Sequence, residues 1–102
     1  MQKPKAKRSG KWPYARRKHL KTEPACQWCG QTTHLQVHHI KPYHLFPELE
    51  LVPDNFITLC EFPNHSCHLR VGHLGAWVRY NQRVRQICNE RQALNAQRLS
   101  KP

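Results

Sequence analysis

Four cysteines and a small set of histidines carry the chemistry legible in this chain. Cys26-Gln27-Trp28-Cys29-Gly30 sets two thiols in a tight turn, and its closing glycine can take the positive φ that aims backbone amides at sulfur. Cys60 and Cys67 follow about thirty residues later, which makes four soft ligands for a tetrahedral Zn²⁺. Six residues, Glu61 to Ser66, separate this second pair where two is usual, so His65 competes with Cys67 for the fourth place. Cys88 has no partner in the pattern and reads as a core or surface thiol.

His38 and His39 are adjacent, and His68 directly follows Cys67. Neighbouring side chains in a strand point to opposite faces, so the pair cannot easily bind one metal but can divide two tasks. One can hold a divalent cation while the other faces a water molecule beside it. Phosphodiester hydrolysis needs that division: a metal to stabilise charge on the phosphate and the leaving 3′ oxygen, and a neutral imidazole to take the proton of the attacking water.

The elements that must position these groups follow from hydrophobic pattern. Leu35 to Ile40 alternates at its start and reads as a short strand, and Phe56-Ile57-Thr58-Leu59 as a second. Between them residues 41–54, with Pro42, Pro47 and Pro53, form a loop. The cysteine pairs flank this hairpin, so one metal would clip both its ends. After Cys67, Leu69, Trp77 and Tyr80 could line one face of a helix, although Gly72 and Gly75 weaken its middle. A second helix over 82–98 carries Val84, Ile87, Cys88 and Leu94, continuing to Leu99, with Arg83, Arg85, Arg91 and Arg98 on other faces.

At 102 residues with 38% hydrophobic content, a single thin domain is expected, one that needs a metal or covalent staple. Lys plus Arg number 17 against six acidic residues, a formal charge of +11. Nine of the basic residues (Lys3, Lys5, Lys7, Arg8, Lys11, Arg16, Arg17, Lys18 and Lys21) precede Glu23. Such a block binds a polyanion and releases counterions, so nucleic acid is the expected partner. Residues 1–22 read as a flexible basic arm without hydrophobic periodicity, and Trp12 and Tyr14 in it have no core to join. A membrane-surface helix is disfavoured because Pro4, Gly10 and Pro13 interrupt the few apolar residues there. No run approaches the ~20 apolar residues of a membrane span, and the N-terminus lacks the apolar core of a signal peptide. Cytoplasmic placement in a bacterial host, with reduced thiols, is the expectation, which favours metal ligands over disulfides.

Val37-His38-His39-Ile40, then Asp54-Asn55-Phe56-Ile57-Thr58-Leu59-Cys60, then Cys67-His68 resembles the HNH (ββα-metal, His-Me finger) endonuclease family, in particular its zinc-containing phage and bacterial members. The resemblance covers residues 26–80 and implies an α+β fold: a small ββα-metal domain over 23–81 with a structural zinc site, a basic N-terminal arm over 1–22 and a C-terminal basic helix over 82–102. It implies that His38 and His68 bind the catalytic metal, with His73 a further ligand as in some relatives. His39 would be the general base, and Asn55 the middle asparagine that braces the loop and helps orient the base. His73 lies five residues beyond His68, not the four that align two ligands on an α-helix face. The catalytic cation would be Mg²⁺, Mn²⁺, Ni²⁺ or Zn²⁺, and the structural ion Zn²⁺.

The function expected is therefore metal-dependent hydrolysis of DNA, of the nicking kind, by a monomer or weak dimer acting on double-stranded DNA. Lys11, Arg16, Arg17, Lys18 and Lys21 are candidate DNA contacts. The alternative, a non-catalytic zinc-ribbon-like nucleic-acid-binding module, explains the cysteines and the charge. It gives no reason for His38, His39, Asn55 and His68 to occur together. The remaining histidines take plainer readings: His19 as a phosphate contact in the arm, His34 and His44 as exposed turn residues. Trp28 and Trp77 are expected to fill the core.

Overall fold

A computed structural model describes residues 9–100; Lys3, Lys5, Lys7 and Arg8 of the basic segment lie outside these residues, as does the side chain of Leu99. The fold is a small α+β domain of two helices and one antiparallel hairpin. Helix α1 spans Trp12–Thr22, strand β1 Leu35–His39, strand β2 Phe56–Cys60 and helix α2 Val84–Ser100. β1 pairs with β2 in the register Leu35↔Cys60, Val37↔Thr58 and His39↔Phe56.

β2 is buried along its whole length, which explains its unbroken Phe-Ile-Thr-Leu-Cys run. One face of the hairpin meets α1 through Phe56 and Thr58, and the other carries Ile57 and Leu59 into the core. That core gathers Ile40, Ile57, Leu59, Val84 and Cys88 with Cys26, Cys60 and Cys67. Cys88 is thus a core thiol, and burial raises its pKa to about 11. Trp28 packs at the core's edge with the Arg91 guanidinium 4.3 Å above its ring. No helix among the described residues is long and apolar enough to cross a membrane.

Two sequence expectations are corrected. The segment expected to be an irregular arm is helical from Trp12 onward, with Pro13 in the first turn, where a missing N–H is harmless. Its inward positions are Trp12, Ala15, Arg16, His19 and Leu20, a helical stripe hidden from hydrophobic periodicity by Arg16 and His19. Trp12 has neighbours after all, packing on His39 and Phe56, and His19 bonds Glu23 at 3.1 Å instead of facing outward. The second correction concerns the helix expected after Cys67. It is a single π-helical turn, His68–Gly72, after which Leu74 and Gly75 take positive φ and irregular chain leads to α2.

Glu23 ties three elements together. Its carboxylate accepts the Thr58 amide at 2.8 Å and the Arg85 guanidinium at 2.6 and 3.1 Å, while Arg85 also donates to the Phe56 carbonyl. Burial works against the charge, but the bonds to His19, Arg85 and Thr58 outweigh it and lower the pKa to about 2. A carboxylate depressed in the folded state stabilises fully above its unfolded pKa, and that contribution disappears as pH falls from about 4.5 towards 2. Glu23→Ala should cost about 2–3 kcal/mol at neutral pH, since Arg85 loses its partner while remaining partly solvated. Urea melts at pH 7 and pH 3 check this: the gap between parent and variant should shrink at pH 3. A gap that does not change with pH would exclude Glu23 as the acid-sensitive hub.

Candidate metal and active site

Two clusters of ligand side chains form beside the hairpin. The first contains Cys26, Cys29, Cys60 and Cys67, whose sulfurs all lie within 4.8 Å of one another. Cys29 and Cys60 sulfurs are 3.6 Å apart, close to the roughly 3.8 Å that tetrahedral Zn–S bonds of about 2.3 Å require. The first turn is built as its spacing suggested: Gly30 has φ +83°, and its amide donates to the Cys26 carbonyl at 2.9 Å. Burial opposes ionisation of Cys26. The amides of Cys29, Cys60 and Trp28 directed at its sulfur win, and its pKa falls below the usual thiol value. Burial instead raises Cys60, to about 11, and Cys67.

The long spacing of the second pair is absorbed by a local turn. Phe62 and His65 pair as an antiparallel bridge, exchanging backbone bonds of 3.0 and 3.3 Å, so the chain doubles back and delivers Cys67. The clustered fourth side chain is Cys67. His65 is exposed, and its Nε2 lies 3.7 Å from the Cys67 sulfur.

The second cluster contains His38, His68 and His73, with ring centroids 4.7–4.9 Å apart. The π-turn explains why a five-residue separation works. The His73 amide bonds the His68 carbonyl at 3.0 Å, an i to i+5 closure that brings the two rings to one side. His68 Nδ1 meets Glu61 Oε1 at 2.8 Å, and His73 Nδ1 meets the Arg79 carbonyl at 2.7 Å. With Nδ1 protonated in these bonds, each Nε2 keeps its lone pair for a cation. His38 is 2% exposed, and its Nε2 has no hydrogen-bond partner among the described residues. Burial first, then His68, His73 and His39, lower its pKa to about 2, so it stays in the neutral form that coordinates metal. An orphaned buried nitrogen facing two oriented imidazoles fits a divalent cation.

Gly72 makes the close approach possible. A Cβ there would lie 3.0 Å from Leu59 Cδ1 and 3.1 Å from His38 Nε2, so a larger residue would push on the ring. Trp77 is 53% exposed, not in the core as expected, and its ring lies 5.0–5.1 Å from those of His73 and His68.

His39 points to the other side of β1. Its Nε2 is 2.9 Å from the Glu50 carbonyl, so Nε2–H donates and Nδ1 carries the basic lone pair. It nevertheless shares with the three clustered histidines a surface cleft of about 320 Å³, also lined by Tyr43 and His44. Asn55 does not line this cleft. Its side chain accepts the Lys41 amide at 2.8 Å and donates to the carbonyls of Lys41 and Leu49 at 3.0 and 3.3 Å. These bonds tie together the two ends of the loop that supplies the Glu50 carbonyl, the kind of brace expected of Asn55. Of the expected DNA contacts, Lys11, Arg17, Lys18 and Lys21 are exposed, whereas half-buried Arg16 donates to the Leu35 carbonyl at 3.4 Å.

Glu61 and Glu50 escaped sequence reading. The available signal was scarcity: in a chain with six acidic residues and a charge of +11, each carboxylate has many cations to answer, and one stands next to Cys60. Glu61→Ala should weaken divalent-ion binding at the histidine cluster by roughly 10–100-fold, because His68 loses the partner that fixes its tautomer. Calorimetric titration with Mn²⁺ on zinc-loaded protein measures this. An unaltered affinity would mean that Glu61 merely neutralises surface charge.

Residues 26–74 match the family model described as HNH endonuclease. The match spans both ligand clusters, from Cys26 through His73. No curated protein and no solved structure matches the chain.

Proposed function

We propose that this chain, whose residues 26–74 carry an HNH endonuclease domain, hydrolyses phosphodiester bonds of double-stranded DNA, one strand at a time. One observation carries the reading: the orphaned His38 Nε2 faces His68 and His73, and His39 stands on the same cleft with Nε2–H committed to a backbone carbonyl. A binding module has no use for that arrangement, and nuclease activity is usual for domains of this family.

The roles follow from the atoms. His38, His68 and His73 would hold a divalent cation, Mg²⁺, Mn²⁺, Ni²⁺ or Zn²⁺; when bound, it supplies electrostatic stabilisation of the phosphate and of the leaving oxygen. His39 Nδ1 takes the proton of a water attacking phosphorus, while the Glu50 carbonyl stabilises the resulting imidazolium through Nε2–H. Asn55 keeps that carbonyl in place. The four cysteines would hold a structural Zn²⁺ that ties the turn before β1 to the segment after β2. Lys11 at the N-cap of α1 and Arg17, Lys18 and Lys21 on it meet phosphates and supply affinity without sequence preference.

The direct test uses supercoiled plasmid with Mg²⁺, Mn²⁺ or Ni²⁺. Conversion to open circles before any linear form is expected. Retarded migration of intact plasmid in all three metals would favour the zinc-ribbon-like binding module instead.

A further inference from the structure

Trp12 lies outside the apolar core around Ile57, Leu59, Val84 and Cys88. Its ring sits instead on His39, with centroids 4.5 Å apart and planes tilted by 34°. Phe56 closes another side of the same imidazole, edge-on at 5.4 Å and 88°. The Nε2–H···O=C bond to Glu50 by itself does not fix rotation of the ring about that bond. With Trp12 and Phe56 against it, that rotation is blocked, and the direction of Nδ1 is set.

The seat of Trp12 is tied to the same loop. At the entrance to α1 the Ser9 amide donates to the Glu50 carboxylate, 3.0 and 3.2 Å from its two oxygens, and Glu50 is 5% exposed. Glu50 therefore holds His39 through its carbonyl and the start of α1 through its carboxylate. At its other end α1 runs into the Glu23 anchor on β2 and α2. The helix is thus fixed at both ends, with its indole resting on the imidazole.

We propose that Trp12 is a positioning residue for His39, so that the basic N-terminal helix orients the proton acceptor of the reaction in addition to binding DNA. The inference rests on the reading of His39 as the general base. It adds that cleavage requires a seated α1 even where DNA affinity is supplied by other residues. Misdirecting a reacting lone pair by about an ångström costs up to about 100-fold in rate, which sets the scale of the effect.

The test is a double-mutant cycle on plasmid nicking, with zinc content and circular dichroism recorded for each protein. Trp12→Leu keeps an apolar side chain but no ring, and should lower kcat by roughly 10–100-fold with KM for DNA nearly unchanged. Trp12→Phe, which restores a ring, should recover most of the loss. In a His39→Ala background, neither change at position 12 should lower the residual rate further, because the ring they orient is gone. If Trp12→Leu retains the parental kcat, or its loss persists in full beside His39→Ala, the positioning role is overturned. Should Trp12→Leu fail to fold, Trp12→Phe carries the cycle: a smaller loss that vanishes beside His39→Ala supports the role, and an additive loss or none overturns it. Parental activity in His39→Ala alone would instead remove the general-base reading, and the positioning role with it.

Discussion

His39→Ala is expected to leave zinc content, fold, divalent-ion binding and DNA affinity intact while lowering the nicking rate by roughly 10²–10⁴-fold, the usual contribution of a general base. The expectation follows from the separation of the two adjacent histidines. His38 turns to His68 and His73, and His39 to Trp12 and the Glu50 carbonyl. Removing the His39 ring should therefore not disturb the three clustered nitrogens. His38→Ala and His68→Ala should behave differently: each weakens affinity for the added cation, so excess metal restores part of their activity. Excess metal should not restore His39→Ala, because added metal supplies no group placed to accept the water's proton. Titrating nicking activity with Mn²⁺ in the three variants tests the division in one experiment. Complete rescue of His39→Ala by metal would show the two roles to be exchanged.

Cys26→Ser should unfold the domain. Structural zinc binds with an apparent free energy of about 10–16 kcal/mol, more than the whole stability of most small domains. The core has no substitute for it, since three of the four thiols are themselves core side chains beside Ile57, Leu59 and Val84. One zinc per chain is expected by elemental analysis, with its removal by a strong chelator abolishing the circular dichroism of the fold. Cys67→Ser should resemble Cys26→Ser, whereas His65→Ala should retain both metal and fold, because His65 stands outside the cluster. A Cys67→Ser protein that keeps zinc while His65→Ala loses it would move the fourth ligand to His65. Native melting of Cys26→Ser would remove the zinc clip altogether.

Much of the site was legible in the sequence because metal and proton chemistry constrain residue type severely. Few side chains besides cysteine and histidine can serve, so Cys26, Cys29, Cys60, His38, His39 and His68 stood out by identity and order. The hairpin and α2 were legible for a related reason. Branched and aromatic residues mark the strands, β2 carrying Phe56, Ile57 and Leu59 because it is buried along its whole length, and α2 buries Val84 and Cys88 four residues apart.

What the sequence left open was decided by backbone closures without a side-chain signature. Cys67 joins the cysteines because residues 62–65 fold back on themselves, and His73 joins the histidines because one turn closes at i+5 in place of i+4. Helix α1 escaped notice because its inward stripe contains Arg16 and His19, which are satisfied by a carbonyl of β1 and by Glu23. Apolar periodicity does not report a face whose central positions are polar groups satisfied by partners of their own. The same reason hid Glu50 and Glu61. Ligand identity is local chemistry and is written in the residues; which carbonyl or carboxylate orients each histidine depends on contacts between residues 6 to 11 apart, and only the tertiary fold sets those.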